Sequence, residues 1–138
     1  MRQMIKIIKN KQLLAVIVRA KDQNELDGFI TDSQSPLQLG FIKYDKDRQV
    51  TPHQHRKLTK TTHQNQEFIY VVAGQVEAKF YYKNQAIKTV VLEAGDTLLQ
   101  LAGGHGFTFL KPTRLITIKQ GPYTTRTHEK IELDLPKV

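Results

Sequence analysis

The sequence predicts an all-β domain on three observations. Apolar residues come in short runs rich in Val, Ile, Phe and Tyr; Gly, Asn, Asp and Pro separate those runs; and one stretch alone, Lys21 to Asp27, suits a turn or two of helix. Ten strands follow from the runs, over residues 5–8, 13–19, 37–44, 49–55, 67–72, 75–82, 87–92, 97–101, 105–110 and 115–120. Their length and spacing suit a sandwich or barrel.

Turn chemistry supports the divisions in order. Ala73-Gly74 parts two β-rich runs, Lys83-Asn84-Gln85 stands between Tyr82 and Ile87, and Glu93-Ala94-Gly95-Asp96 precedes Thr97. Residues 56–66 (RKLTKTTHQNQ) are polar without period and read as a long loop between strands, a place where function concentrates. Lys119-Gln120-Gly121-Pro122-Tyr123 ends the tenth run in a turn. Beyond it Ile131, Leu133 and Leu135 alternate, as in a last strand or an arm packed on a neighbour.

At 138 residues the chain is one domain, 1–138, with no internal repeat. The absence of cysteine removes disulfide scaffolds, thiolate metal sites and cysteine nucleophiles together. No apolar run approaches the roughly 18–20 residues of a membrane span, and Lys6 and Lys9 interrupt the first apolar stretch before a signal-peptide core forms, so the expected location is cytoplasmic, with no membrane partner. The net charge of +8 favours anionic partners: nucleic acid, phosphorylated metabolites or anionic lipid. The densest basic stretch, Arg56-Lys57-Leu58-Thr59-Lys60, is short and comes without a nucleic-acid-reading motif, so a solvated surface is preferred over a nucleic-acid face.

The five histidines, His53, His55, His63, His105 and His128, carry the chemical signal. On a strand, residues two apart project from one face, so Pro52-His53-Gln54-His55 presents two imidazoles side by side. Glu67 opens the run Glu67-Phe68-Ile69-Tyr70-Val71-Val72 and shares a face with Ile69 and Val71, a costly place for a carboxylate unless it is paired or metal-bound. His105 lies between two glycines and shares its face with Phe107 and Phe109. His63 is either an exposed loop residue or a further acid/base group, and His128 reads as a tail residue.

These residues resemble the cupins, small barrels of the double-stranded β-helix or jelly-roll type. Their first motif, G(X)5HXH(X)3–4E(X)6G, is matched by His53-Gln54-His55 and by Glu67 through Gly74. Eleven residues stand between His55 and Glu67 rather than three or four, and Asp47 occupies the first glycine's place. The second motif, G(X)5PXG(X)2H(X)3N, is approximated by Gly95 through His105, with Leu101 at the proline, one residue fewer before the histidine, and Phe109 at the asparagine. The resemblance implies a barrel core over about 37–120 and a divalent metal ion, Fe, Mn, Zn or Ni, held by His53, His55, Glu67 and His105. It also implies a homodimer, for which residues 5–8, 13–18 and 131–135 offer edge strands.

The expanded loop, the Glu-Ala-Gly-Asp turn at 93–96, Gly-Gly-His-Gly-Phe at 103–107 and Lys-Gln-Gly-Pro-Tyr at 119–123 look more narrowly like cupins of bacterial surface-polysaccharide synthesis. The implied ligand is a small anionic sugar or nucleotide sugar. Two kinds of metal-dependent enzyme fit, isomerase or epimerase and dioxygenase, as does a binding module without turnover. Proton transfer would call on His63 or Tyr70 as catalytic groups.

Overall fold

A computed structural model describes residues 4–135, so the outermost three residues at each end of the single-domain reading lie outside the described residues. Ten strands are present: β1 (Ile5–Lys9), β2 (Gln12–Val18), β3 (Gly28–Phe29), β4 (Gly40–Phe41), β5 (Glu67–Ala73), β6 (Gln75–Tyr82), β7 (Gln85–Glu93), β8 (Thr97–Gln100), β9 (Gly104–Phe109) and β10 (Arg114–Lys119). Two short helices accompany them, a 3-10 helix Ala20–Glu25 and α1 (Arg126–Glu129). All strand pairs are antiparallel.

Five strands form one sheet in the order β1-β2-β8-β5-β10, three form a second in the order β7-β6-β9, and β3 and β4 pair by themselves. No closed barrel forms among the described residues, since each larger sheet ends in unpaired strands. The two sheets instead pack face to face. Ile7, Ile17, Ile69, Val71 and Leu98 from the first meet Val76, Ala78, Phe80, Val90 and Leu92 from the second in one buried cluster. Leu92 and Phe80 have no exposed surface, so replacing Phe80 by Ala removes about 3–5 kcal/mol of packing. On the other face of the five-stranded sheet, Val16 and Val18 pack with Leu26, Ile30 and Phe41, which brings the β3–β4 hairpin down over β2.

The register fixes which side chains point inward. Glu67, Ile69 and Val71 on β5 pair with Lys119, Thr117 and Leu115 on β10, and Glu67 and Ile69 pair with Gln100 and Leu98 on β8. Phe80 on β6 pairs with His105 on β9, so the imidazole shares the buried face of the small sheet. The β5–β6 corner needs Gly74, at φ +100°, because a Cβ there would stand 2.7 Å from Thr113 Cα and collide with Pro112 O.

Three sequence expectations are corrected. The strand over 37–44 reduces to the two residues of β4, and the strand over 49–55 does not form. Every residue from 42 to 65 is exposed and non-strand: Pro52 removes a ladder donor, and large apolar residues are too sparse to repay docking on the sheet. Ile131, Leu133 and Leu135 form no strand either; Ile131 is 92% exposed, and Leu133 packs singly near Gly104.

Candidate functional site at one end of the sandwich

The starts of β5 and β9 and the ends of β8 and β10 meet at one end of the sandwich, and there the inward-facing positions turn polar: Glu67, Gln100, His105 and Lys119. Alternation dictates this. Glu67, Gln100 and His105 each continue an inward row of apolar residues by one more step of two, and Lys119 follows Leu115 and Thr117 on the same face of β10.

Gln100 bridges the sheets. It is 6% exposed, and its Nε2 donates to Leu14 O at 3.3 Å and to Ala102 O. Leu14 is the extra residue of a β-bulge between Ala15, opposite Ile7, and Leu13, opposite Ile8; its carbonyl also accepts from the backbone of Leu101 and Ala102. Two carbonyls on Nε2 settle which way the amide lies. Gln100 Oε1 therefore faces His105, whose Nδ1–H donates to it at 3.1 Å. In the neutral ring the proton is on Nδ1, and Nε2 keeps the lone pair.

Burial holds the His105 imidazole below its ordinary value of 6.5; the Glu67 carboxylate pulls the other way, and the positive charges of Lys130 and Lys119 add to the lowering. The ring lies 4.6 Å from that of Phe107 and is tilted by 37° to it. Glu67, with 17% of its side chain exposed, meets Lys119 Nζ at 3.8 Å. The site thus sets a neutral base beside a carboxylate, in reach of two lysine charges.

The neighbouring chain is tied down by amides. Gln66, 6% exposed, accepts from Ser35 Oγ and Leu37 N and donates from Nε2 to Leu101 O at 3.4 Å. Gln120 accepts from Gln66 N at 2.6 Å and donates to Gln64 O at 2.9 Å, taking the place of a strand partner just before β5.

Of the residues singled out from sequence, Glu67 and His105 come together. His53 and His55 sit on the exposed segment with ring centroids 5.3 Å apart, and His53 Nδ1 donates to Thr51 O at 2.8 Å. His63 is exposed on the same segment. Tyr70 pairs with Ile116 and Thr97 and so points from the opposite face of the sheet to Glu67. Among the described residues no group of three or more His, Asp or Glu side chains is placed to hold a metal ion. The structure does not bring His53, His55, Glu67 and His105 into one group: Glu67 and His105 face the sandwich interior, and His53 and His55 ride the exposed segment.

A concavity of about 1350 Å³ lies instead beside β1 and β7 and is lined in part by Lys6, Arg19, Lys88 and Asp96. It is an open edge between the sheets, and two of the charges lining it are already paired: Asp96 meets Arg19 Nη1 at 2.8 Å and accepts from Ala20 N and Glu93 N, both at 2.9 Å. Asp96 is a structural clamp, and chemistry is better served by His105, whose Nε2 has no hydrogen-bond partner among the described residues. No helix among the described residues is long and apolar enough to cross a membrane. No protein-family model, curated protein or solved structure matches this chain.

Proposed function

We propose that the chain is a cupin-like protein, its two sheets an open form of the double-stranded β-helix, that binds a small anionic metabolite at the Glu67–Gln100–His105 end. A sugar or nucleotide sugar is the class implied by the resemblance. The observation that carries the reading is the Gln100–His105 bond: a buried amide with both ends engaged holds a neutral imidazole with its Nε2 lone pair available. Such a nitrogen accepts a hydroxyl proton or acts as a general base, and Lys119 and Lys130 attract the anion. Proton transfer of the isomerase or epimerase kind uses these groups directly, with Glu67 as the adjacent carboxylate. No step depends on the metal that the resemblance implies.

Titration calorimetry with a panel of sugar phosphates and nucleotide-diphosphate sugars tests this. At least one is expected to bind the wild type, to lose tenfold or more in affinity in His105→Ala, and to keep its affinity in Glu132→Ala, whose side chain is 90% exposed. No binding across the panel, or binding that survives His105→Ala, would overturn it. Elemental analysis of protein purified without chelator tests the metal set separately: stoichiometric metal that disappears in a His53→Ala, His55→Ala double variant would mean that the exposed segment closes over the site in solution.

A further inference from the structure

Beyond Lys119 the chain leaves the five-stranded sheet and touches down on the three-stranded one at Gly104. Its root is fixed beside β5, where Gln120 bonds to Gln66 N and Gln64 O. From there residues 121–135 run on with only Glu129 and Leu133 withdrawn from solvent, and these two hold the arm. Glu129 accepts from Thr124 N and Oγ1 at 3.3 and 3.2 Å through one oxygen and from Asn65 Nδ2 at 3.5 Å through the other. Leu133 stands so close to Gly104 that a Cβ there would come within 2.9 Å of Leu133 Cδ1. Gly104 has no positive φ to require a glycine; what the missing Cβ provides is room for Leu133. Asn65 lies just before Glu67 and Gly104 adjoins His105, so the two holds flank the polar end of the sandwich. Lys130 lies between them in the chain, and its charge is felt at the His105 ring.

We propose that residues 121–135 are a strap that closes over an anion bound at the Glu67–Gln100–His105 end, with Lys130 the specificity-determining cation it delivers and Leu133 the residue that positions it. The inference rests on the anion-binding reading of that end and adds the group that reads the charge. Lys119 is already engaged by Glu67 at 3.8 Å, and Arg126 by Glu132 at 4.0 Å, whereas Lys130 makes no ion pair among the described residues. A phosphate can therefore take Lys130 without breaking an existing pair. Two holds, one of them a 3.5 Å hydrogen bond at the surface, set little against the backbone entropy of ordering such a length of chain, so the strap opens and closes. An anion that meets Lys130 only in the closed form shifts the arm toward that form. By linkage, whatever unpins Leu133 weakens the anion.

Calorimetry with inorganic pyrophosphate, which carries the paired phosphates of a nucleotide sugar without the sugar, and hydrogen exchange on residues 126–133 of the full chain test the proposal. The wild type is expected to bind, and binding to slow exchange in the arm by about fivefold or more. Lys130→Gln and Leu133→Ser are each expected to weaken pyrophosphate by about tenfold, and Leu133→Ser to abolish the protection, while Lys130→Arg and Leu133→Met restore both. Lys9→Gln removes the same charge at the far edge of the five-stranded sheet and is expected to change affinity by less than about twofold. Lys130 and Leu133 lie outside both sheets, so folding, checked by circular dichroism, is retained. Affinity unchanged in Lys130→Gln or Leu133→Ser, an equal loss in Lys9→Gln, or arm exchange indifferent to pyrophosphate overturns the strap; if His105→Ala still abolishes binding, the reading of the site itself stands. Pyrophosphate that fails to bind the wild type also overturns the strap, and the site reading is then decided by the sugar panel.

Discussion

Replacing Gln100 by Leu removes the group on which the site geometry depends. The side chain is nearly isosteric, so little cavity forms, and the effect comes from hydrogen bonds. Leu14 O keeps its bonds to Leu101 N and Ala102 N, at 2.8 and 3.1 Å, and is not orphaned. Ala102 O and the His105 Nδ1–H both lose the partner that Gln100 provides. A buried polar group left without a partner costs about 1–3 kcal/mol, so two cost about 2–6 kcal/mol, less the gain from burying a more apolar side chain. Urea denaturation should therefore show a loss of about 2–4 kcal/mol with an unchanged slope. Thermal melting should fall by roughly 3 °C for each kcal/mol at this chain length. A loss below about 0.5 kcal/mol would refute the bridging role of Gln100, and with it the assignment of the His105 proton to Nδ1.

Other consequences follow from the same contacts. Because burial lowers the His105 value below 6.5, the unfolded chain binds the proton more readily than the folded one. The His105 contribution is complete above pH 6.5 and is lost as pH falls through that value toward the folded-state one, with a slope of at most about 1.4 kcal/mol per pH unit. Denaturation midpoints of wild type and His105→Phe should thus converge or cross as the pH falls from 7.5 to 5, and parallel curves would contradict the buried neutral ring. Asp96→Ala strands Ala20 N and Glu93 N and leaves the Arg19 guanidinium with Val91 O but no carboxylate, and should cost about 3 kcal/mol in urea; the 30% exposure of Arg19 keeps the figure at the low end for a broken buried pair. A loss under 1 kcal/mol would show that water replaces the clamp. Glu132→Ala, which removes an ion pair of 4.0 Å at 90% exposure, should change stability by less than about 0.5 kcal/mol in the same assay.

What could be read from the sequence was local. Alternation placed Glu67 beside Ile69 and Val71, and His105 beside Phe107, and the register confirms both placements. The same rule, applied to the run Thr97-Leu98-Leu99-Gln100, would have put Gln100 on the face of Leu98 and flagged it as it flagged Glu67. An amide costs less to bury than a carboxylate, so its place on an inward row is a weaker signal. What could not be read depends on distant partners. A strand exists only where another segment supplies its ladder, and the period-two pattern around His53 and His55 has no such partner, so it stays in solvent. Asp96 reads as turn punctuation in Glu-Ala-Gly-Asp, and its meeting with Arg19, 77 positions earlier, follows only from the β2–β8 pairing.

The neutral, Nδ1-protonated His105 is the centre of the site, and long-range proton–nitrogen NMR of the imidazole at pH 7 tests it most directly. The nitrogen shifts should show Nε2 as the lone-pair nitrogen, with a titration midpoint below 6.5 that rises when Gln100 is replaced by Glu. A ring charged at pH 7, or one protonated on Nε2, would contradict it.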